Sequence, residues 1–561
     1  MKTRFMTACL FVCVAFLTQA ATWTVYHENH KPVKGGKEVA GTTEMTPVEQ
    51  LVYAIKNSSS SDSVLIKPGE YDLSVLEPTD MGEGDGNGAS YLVINSKKLT
   101  LKGEDTTDWS LKTPQQETIL KGGTAARIVY GYAGNGRKSV FQHLTFDGGH
   151  AQSGKNGGAI LFGHVGDQGG YATNCVFRNC SAADSGATHY LGAYNCCYSN
   201  NTATTRGGAA KCYQNTHPFI DCVFVENSAR AGGALSSSNS LALVSGCVFV
   251  GNTAGLNGGA IEAPTITTIT GCSFTDNTAE NKCGGIYVSG DMSGTIEACT
   301  FHNSTCANDQ VGAHFQNVNS VVRCQFSGTG DASAKSFDSC EFNACIYTNF
   351  RSTTSLDALV RFDTEMTGDG LVRNCLFQNC TLSTLLSSAG VRVDIENCTF
   401  ADNECSYNVF YAFRKDVSGK ASLATTNSFV NCVFANAKPG QDNGAAYDFY
   451  ATSYKATSCT LVSNSIFSTK PAGEPLTSGG FVTSNFIQAN PKFVAGSEYY
   501  PDAPYYMLKP SSKGHKVGGI VLDWMATATD LAGNARLSGG KVDMGCYQCN
   551  LPPTGLVFVV E

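Results

Sequence analysis

Charged residues are scarce in this chain of 561 residues: Asp, Glu, Lys and Arg together make up 15%, against roughly a quarter in ordinary soluble proteins. Basic residues number 39 and acidic residues 47, so the net charge is −8. This balance argues against a nucleic-acid binder built on a basic face. After the opening apolar run, no stretch of 18 or more apolar residues occurs. No membrane-spanning helix is therefore predicted beyond that run.

Glycine is abundant, at 60 of 561 residues, where an average protein would have about 7%. The hydrophobic fraction of 42% is sufficient for a core and excludes wholesale disorder. Ser, Thr and Asn are frequent as well. The composition is typical of a protein that works outside the cell.

Residues 1–20 match a secretory signal peptide. Lys2 and Arg4 supply the positive start, and residues 6–17 form a mostly apolar run that is too short to span a membrane. Residues 18–20, Thr-Gln-Ala, place small residues at the −3 and −1 positions of a cleavage site. We expect a protein that is secreted or held at a bacterial cell surface.

A unit of about 25 residues repeats along the chain. The consensus of these copies is Cys-x-Phe, an Asn three residues after the Phe, and then a Gly-Gly turn. The copies are regular between about residues 140 and 330 and looser from there to about residue 470. The clearest repeat positions are Phe224, Phe249 and Phe274, with Asn227, Asn252 and Asn277.

A fixed period of this length predicts stacked units rather than separate globular domains. Each unit has room for roughly three short strands, and Gly-Gly supplies a bend. Coiling places equivalent residues about 4.8 Å apart, which is the spacing between neighbouring strands. We therefore predict an all-β fold, a single-stranded right-handed parallel β-helix of the pectate-lyase-like kind. Phe would stack inside, and Asn would stack at a corner and bond to the next turn.

The first turn of such a solenoid exposes an edge that needs a cap. Residues 46–49, Thr-Pro-Val-Glu, form a capping box with Pro at the first helical position, which predicts a short helix over residues 46–56. The predicted organisation is a signal peptide at 1–20, an N-terminal cap and first turn at 21–75, the β-helix at 76–500, a C-terminal cap or anchor-type segment at 501–550, and a tail at 551–561.

The cysteines recur in the repeat register, and 22 of the 24 follow residue 20. A ladder of reduced, buried thiols is one interpretation. Disulfides are the alternative, because the spacing between turns lies within the range that they need. The candidate pairs five residues apart are Cys175/Cys180, Cys340/Cys345 and Cys375/Cys380. Metal binding is not predicted, because no His shares the register and Cys546-x-x-Cys549 stands alone.

The Gly-Gly-Ala and Phe-x-x-Asn motifs resemble the repeats of the chlamydial polymorphic outer-membrane proteins. The Gly-Gly-Ala copies begin at Gly157, Gly207, Gly232 and Gly258, and a late Phe-x-x-Asn copy is Phe400/Asn403. The resemblance covers about 250 residues. It implies a right-handed β-helix that is displayed at the cell surface and acts in adhesion.

Residues 490–548 instead resemble the terminal segment of the secreted bacterial β-helix proteins called choice-of-anchor Q. The motifs are Asn-Pro-Lys-Phe at 490–493, the stretch 511–518, Asp530-x-x-Gly-Asn-x-Arg536, and Val-Asp-Met-Gly-Cys-Tyr at 542–547. This resemblance implies export and surface attachment, and it implies no chemistry.

Four basic residues lie near successive Gly-Gly turns and form a candidate strip for binding an anionic glycan: Lys155, Arg206, Arg230 and Lys282. The alternative is that they are unrelated surface charges. No catalytic residue is assigned.

Enzymes must be weighed, because parallel β-helices include many that cleave acidic polysaccharides. A calcium-assisted lyase needs converging carboxylates. The register two residues after the aromatic has acids only on alternate turns, since it runs Asn200, Glu226, Gly251, Asp276. A hydrolase needs two carboxylates about 5–10 Å apart, and the sequence does not pair its candidates, which are Asp147, Asp167, Glu262, Asp291 and Asp363.

The leading hypothesis is a non-catalytic, exported β-helix protein that acts in adhesion or glycan binding. Its partner would be a polysaccharide or a cell-surface ligand, and no cofactor is expected. One alternative is a polysaccharide lyase or glycoside hydrolase on the same fold, and calcium enters only with the lyase. A structural component of a surface layer is the other alternative.

Overall fold

The computed structural model describes residues 20–80, 88–95, 97–104, 118–132, 138–162, 170–212, 217–291, 293–307, 314–328, 339–351, 358–362, 369–389, 391–413, 426–436, 449–451, 459–468, 481–494, 504–516 and 520–551. The predicted signal peptide and tail lie outside these ranges, apart from their boundary residues Ala20 and Leu551.

Each strand of the main body pairs in parallel with the equivalent strand of the next turn. Val223–Val225 pairs with Val248–Val250, and that strand pairs with Ser273–Thr275. Successive turns therefore stack in register along one axis. The chain is a parallel β-helix, as the repeat predicts.

The strands of the described chain form five sheets, numbered here in the order in which one turn passes through them. Sheet 1 has 19 strands, of which the second and third pair antiparallel to their neighbours. They are Thr22–Val25, Val33–Lys34, Lys37–Glu38, Ser63–Ile66, Thr100–Gly103, Val140–Gln142, Gly170–Thr173, Leu191–Tyr194, Phe219–Ile220, Ser240–Ser245, Thr265–Thr270, Ser293–Glu297, Val318–Val322, Ser339–Asn343, Gly370–Arg373, Val393–Glu396, Thr426–Val430, Cys459–Ser463 and Phe481–Ser484.

Sheet 2 has 16 strands. They are Gly69–Asp72, Thr118–Lys121, Thr145–Asp147, Val176–Arg178, Cys197–Ser199, Val223–Val225, Val248–Val250, Ser273–Thr275, Thr300–His302, Gln325–Ser327, Ile346–Thr348, Leu376–Gln378, Thr399–Ala401, Val433–Ala435, Ile466–Phe467 and Ile487–Gln488.

Three smaller sheets complete the turns. Sheet 3 consists of Ser181–Asp184, Thr202–Arg206, Ser228–Ala231, Thr253–Ala254, Thr278–Ala279 and Thr305–Cys306. Sheet 4 consists of Ser90–Asn95, Arg127–Tyr132, Ile160–Phe162, Thr188–His189, Ala210–Cys212, Leu235–Ser237, Ile261–Ala263, Ile286–Val288 and Phe315–Gln316. Sheet 5, in the later turns, consists of Ala358–Phe362, Thr381–Ala389, Glu404–Phe413 and Phe449–Ala451.

The regular turns hold four strands, where the sequence predicts roughly three. The extra division falls at the glycine turn between sheets 3 and 4. Gly232 and Gly258 adopt φ of 62° and 65° there, a conformation that glycine adopts without strain. A Cβ on the following Gly233 would lie 2.1 Å from the carbonyl oxygen of Gly259. The chain bends sharply at this place because both glycines lack a side chain.

A stack of aromatic rings fills the interior behind sheet 2. Phe224, Phe249 and Phe274 are fully buried. Their neighbouring ring centroids are 4.8 Å apart, with interplanar angles of 5° and 2°. Removing such a side chain from water is worth about 1.5–3 kcal/mol, so the stack is a principal source of stability along the solenoid.

A ladder of asparagine side chains runs along the corner between sheets 2 and 3. Asn252 Oδ1 accepts hydrogen bonds from the backbone N–H of Asn227 (3.1 Å) and from its Nδ2 (3.0 Å). Asn252 Nδ2 donates to the Phe224 carbonyl (3.0 Å) and to Asn277 Oδ1 (2.9 Å). The side chain is fully buried, and both of its polar atoms are satisfied. The ladder therefore ties each turn to the next by side-chain bonds.

A cysteine ladder runs along the opposite corner, between sheets 1 and 2. The 20 cysteines whose side chains the structure describes are all free thiols. The backbone N–H of Cys222 lies 3.4 Å from Cys247 Sγ, and that of Cys247 lies 3.4 Å from Cys272 Sγ. Within the described ranges the structure therefore has the reduced ladder rather than disulfides.

Two of the three candidate disulfide pairs do not form in the structure. Cys175 and Cys180 flank one strand, Val176–Arg178, and both are free. Cys375 and Cys380 flank Leu376–Gln378 in the same way. The side chain of Cys340, from the third pair, lies outside the described residues. A strand that separates two cysteines holds them at opposite corners of the turn.

The N-terminal helix, Pro47–Asn57, has the capping box that the sequence predicts. The Thr46 hydroxyl accepts from the backbone N–H of Glu49 (3.3 Å), and Glu49 Oε2 accepts from the backbone N–H of Thr46 (2.8 Å). Leu51 and Ile55 are buried in the same core as the first turn of the solenoid. Short 3₁₀ helices lie at Leu73–Val75 and Asp523–Ala526. No helix among the described residues has the length and apolarity needed to cross a membrane.

The described part of residues 504–551 folds back along the side of the solenoid. Outward apolar residues of sheet 2, such as Leu376 and Val433, pack against it. Asn374, Asn397 and Asn431 donate from Nδ2 to backbone carbonyls of this C-terminal segment, at 3.2, 3.0 and 2.8 Å. The later turns of sheet 2 are thereby covered.

Candidate functional site

Sheet 4 carries polar side chains on its outward face. Alternate residues of a strand point to opposite faces, so Ile261 is buried in the core and Glu262 points away from it. The strand pairing places five of these outward residues side by side on successive turns, about 4.8 Å apart. We call this set the sheet 4 column: His189, Lys211, Ser236, Glu262 and Tyr287.

The glycine turn brings the end of sheet 3 beside this column. Asp184 and Arg206 are paired in register at the ends of their strands, immediately before the turns that lead into sheet 4. Asp184 reaches Lys211, and Arg206 reaches Glu262. The bend between the two sheets therefore gathers ionisable groups from both.

Lys211 and Asp184 form an ion pair within the site. Lys211 Nζ lies 2.5 Å from Asp184 Oδ2, and the Thr205 hydroxyl donates to Asp184 Oδ1. Burial by itself would raise the pKa of Asp184, but the hydrogen bonds from Lys211 and Thr205 outweigh it, and the pKa is below its ordinary value. Asp184 is therefore a carboxylate at neutral pH.

Glu262 is the least solvated carboxylate of the site, with its side chain 4% exposed. Arg206 Nη1 lies 3.8 Å from Glu262 Oε2, and this oxygen has no hydrogen-bond partner among the described residues. Burial raises the pKa of Glu262, while Arg206 and Lys211 act in the opposite direction. A buried carboxylate oxygen with spare acceptor capacity is costly unless something donates to it.

His189 stands next to Lys211 in the column and is buried. Its Nδ1 lies 2.5 Å from the Ser185 hydroxyl. Burial, reinforced by the charge on Lys211, lowers the pKa of His189 to about 3. The imidazole is therefore neutral at physiological pH and adds no positive charge to the column.

At the other end of the column, Lys282 and Tyr287 supply a second type of contact. Lys282 Nζ lies 5.3 Å from the centroid of the Tyr287 ring, in cation–π geometry. Arg206 is 47% exposed, so its guanidinium can reach a ligand from where it stands. A cation beside an aromatic face and a half-exposed guanidinium suit a ligand with carboxylate or sulfate groups and apolar ring faces.

The four residues of the predicted glycan-binding strip lie just before the glycine turns or in the loops leading to them. Ala183 donates its backbone N–H to the Lys155 carbonyl (2.8 Å), so Lys155 lies one turn before Asp184. Arg230 is exposed in the strand that pairs with Thr202–Arg206. Arg206 and Lys282 contact the sheet 4 column, as described above.

The carboxylates considered for a hydrolase are scattered. Asp147 lies on sheet 2 and accepts from Arg178 Nε at 2.8 Å. Glu262 belongs to the column, Asp291 is exposed in a loop, and Asp167 and Asp363 lie outside the described residues. The residues considered for a lyase each lie at a turn of the backbone, since Asn200, Glu226 and Asp276 all adopt φ of 54°. Those acids occupy left-handed turn positions rather than a shared site.

Sequence analysis did not single out Asp184, Lys211 or His189. A usable signal exists for Lys211 and Glu262, because each lies four residues after the first glycine of its turn, Gly207 or Gly258. In the next repeat unit the Gly-Gly pair, Gly284-Gly285, does not mark the start of the turn. Ile261 pairs with Ile286, so Cys283 (φ 52°), rather than Gly284, occupies the first turn position. The sequence motif was therefore one residue out of register there.

No protein-family model matches the chain, and no curated protein matches it in sequence. Among solved structures it is similar to a variant of the PL6-family alginate lyase AlyGC, with 12% identity, a TM-score of 0.37 and coverage of 87% of this chain and 55% of that one. The chain thus spans little more than half the length of that enzyme. The resemblance to the chlamydial and choice-of-anchor Q proteins stays an expectation from their motifs.

Two further structures show the same kind of likeness. A mannuronic-acid-specific family 6 polysaccharide lyase from human gut microbiota has 12% identity and a TM-score of 0.31, with coverage of 78% of this chain and 88% of that one. Pectate lyase Pel9A has 10% identity and a TM-score of 0.26, with coverage of 94% and 96%. At such values the similarity says nothing about activity, and the fold rests on the strand pairing described above.

Proposed function

We propose that the chain is an exported β-helix protein of the bacterial surface that binds an anionic polysaccharide through the residues at the sheet 4 column that are not buried, Arg206, Lys211, Lys282 and Tyr287. The observation that carries this proposal is that Arg206 and Lys211 lie on one turn, and that Lys282 and Tyr287 lie on the same side of the solenoid three turns further along. Turns repeat about every 4.8 Å, so a linear glycan that spans about 14 Å could contact Arg206 and Lys211 at one end and Lys282 and Tyr287 at the other.

Binding is favoured over catalysis because Lys211 and His189 are already engaged in hydrogen bonds. Lys211 Nζ already donates to Asp184 at 2.5 Å, so its use as a base would require that bond to break. His189 is buried and held by Ser185, which removes it from contact with a substrate. The binding function requires no cofactor.

A polysaccharide lyase is the second candidate. It is favoured by one observation, the presence of Lys211, Arg206 and the buried carboxylate of Glu262 within one site. In that case Arg206 would neutralise a uronate carboxylate and Lys211 would take the proton. Calcium would belong only to this alternative. The two carboxylates of the described site, Asp184 and Glu262, lie three turns apart and each faces a cation, so they do not form a shared calcium site.

The cellular setting of the proposal comes from the sequence. The signal-peptide pattern, the adhesin-like repeats and the anchor-type C-terminal motifs all favour export to the cell surface or beyond. A solenoid also presents an extended face rather than a single pocket, which suits a long polymer as ligand. A structural surface-layer role would need no such column of charges.

The test is retention on a panel of insoluble or immobilised acidic and neutral polysaccharides, with reducing ends and unsaturated uronic products followed in the same samples. The informative variant is the double substitution Arg206→Gln with Lys282→Gln, since neither residue is buried. The matched control is Lys121→Gln with Arg178→Gln, which removes the same two charges from sheet 2, where they pair with Glu70 and Asp147.

We expect the Arg206→Gln, Lys282→Gln variant to lose at least about tenfold in affinity for an acidic glycan, with its affinity for neutral glycans unaffected and the control variant unchanged. Equal losses in both double variants would mean that only net charge matters, and would overturn the proposed site. Turnover with unsaturated products would replace the binding proposal with the lyase. If the chain is retained on none of the glycans, the binding proposal is wrong, and a structural role in a surface layer is the alternative that remains.

A further inference from the structure

A second cluster of ligand-type side chains lies in the C-terminal segment, far along the chain from the sheet 4 column. His515, Asp543 and Cys549 each offer one atom, and the three atoms lie within 4.8 Å of one another. The three atoms are an imidazole nitrogen, a carboxylate oxygen and a thiol sulfur, which are the donor types of protein zinc sites. The sequence does not predict metal binding, because no His shares the repeat register and Cys546-x-x-Cys549 stands alone.

The cluster is held in place by its own backbone. Asp543 Oδ1 accepts from the backbone N–H of Lys516 (2.7 Å), and Oδ2 accepts from that of Cys549 (2.6 Å). His515 Nδ1 lies 3.0 Å from Oδ1 and 3.2 Å from Oδ2. The two backbone N–H groups each occupy one lone pair of the carboxylate, and the remaining lone pairs face His515 Nδ1. The carboxylate is thus held in one orientation by these hydrogen bonds, as metal-binding side chains commonly are.

The exposure of the cluster also suits the binding of an ion from solvent. Asp543 is fully buried, while the His515 side chain is 12% exposed, so an ion could enter from the histidine side and leave one position for water. Asp543 also links the cluster to the solenoid, because its carbonyl accepts from Asn397 Nδ2 at 3.0 Å. An ion held here would fasten residues 515 to 549 to one another and to sheet 2.

We propose that His515, Asp543 and Cys549 bind one divalent transition-metal ion of the zinc type, which locks the C-terminal segment against the side of the β-helix. The mixed N, O and S donor set favours Zn²⁺ over Ca²⁺, which takes six to eight oxygen ligands. The site is separate from the glycan-binding column, and neither proposal depends on the other.

The experiment is a titration of the chelator-treated full chain with Zn²⁺ by calorimetry, with Co²⁺ as a spectroscopic probe of thiolate coordination. We expect one ion per chain, a thiolate-to-cobalt absorption band, and slower amide exchange over residues 504–551 when zinc is bound. His515→Asn and Cys549→Ser should each weaken binding by at least about 100-fold, since the loss of even an outer-shell partner costs 10–100-fold.

Cys546→Ser is the matched control, because Cys546 is a buried free thiol three residues away in the same segment but outside the cluster. This variant should keep the ion and the thiolate band. Unchanged far-UV circular dichroism and unchanged exchange in the early turns would show that each variant is folded. Failure of the unaltered chain to bind zinc or cobalt would overturn the proposal, as would a thiolate band that survives in Cys549→Ser.

Discussion

Replacing Asn252 by Ala should destabilise the middle of the solenoid by about 3–5 kcal/mol. The change removes the only described acceptor of the Asn227 backbone N–H, one partner of Asn227 Nδ2, and the donors to the Phe224 carbonyl and to Asn277 Oδ1. All of these atoms are buried, and each orphaned group costs about 1–3 kcal/mol. The sum is reduced because Asn277 Oδ1 keeps its bond from the Asn252 backbone.

Hydrogen exchange followed by mass spectrometry is the suitable assay, because a stacked array need not unfold in one step. At about 1.4 kcal/mol per factor of ten, amides around Asn227 should exchange on the order of 100-fold faster or more. Thr253→Ala is the control: Thr253 is the exposed neighbour on the same turn, so its loss should stay within about 0.5 kcal/mol.

Asn252→Asp separates hydrogen bonding from packing. Aspartate has nearly the same shape, but a carboxylate only accepts, so it would face the acceptors on Phe224 and Asn277 that now receive Nδ2. We expect a loss at least as large as that of the alanine variant. A well-tolerated aspartate, or an alanine variant that loses less than about 1 kcal/mol, would refute the account of the ladder.

Two further predictions follow from the turn geometry and from burial. Gly233→Ala should cost more than about 2 kcal/mol, because its Cβ would lie 2.1 Å from the Gly259 carbonyl oxygen; Gly255→Ala, whose nearest neighbour would be 3.8 Å away, should be neutral or slightly stabilising in the same thermal melt. Burial lowers the pKa of His314 from its ordinary 6.5 to about 3. Between pH 6.5 and pH 3 the unfolded chain therefore binds a proton that the folded chain does not bind. Because of this difference, the free energy of unfolding falls on acidification by up to about 1.4 kcal/mol per pH unit. In His314→Phe the new ring would lie among the neighbouring Phe rings, and the dependence of stability on pH between pH 7 and pH 4 should become weaker in denaturant titrations. Part of this dependence should remain, because the pKa of His189 is also lowered to about 3. An unchanged pH dependence would contradict the assignment.

The repeat period was sufficient to predict the solenoid because stacked strands have one natural spacing. Phe224 and Phe249 are 25 residues apart, and the only economical way to bury both is to place them on adjacent turns, where their ring centroids are 4.8 Å apart. The N-terminal helix was predictable for a similar reason, because a capping box is a local signal that needs no tertiary partner.

The number of strands in a turn was harder to predict. The division between sheets 3 and 4 depends on how closely the backbone of Gly233 approaches that of Gly259, which is a contact between turns and not a property of either glycine alone. The turn position of Cys283 also depends on a contact between turns, because it is identified by the strand pairing and not by the Gly-Gly motif.

The candidate sites show where sequence reasoning stops. Arg206 and Lys282 could be singled out because they lie beside a recognisable turn. Asp184 and Lys211 are 27 residues apart, and they meet only because one turn of the solenoid separates them in space. His515 and Cys549 meet only because the C-terminal segment closes on itself.

By itself the sequence determined the class of fold, the aromatic and asparagine registers and the helical cap, because each depends on a period or on a local pattern. The tertiary structure alone decided which charges face one another, since a pairing across turns depends on the exact residue count between bends. It also decided that the C-terminal segment lies along sheet 2, because docking depends on the matched shapes and hydrogen bonds of two surfaces that are remote in sequence.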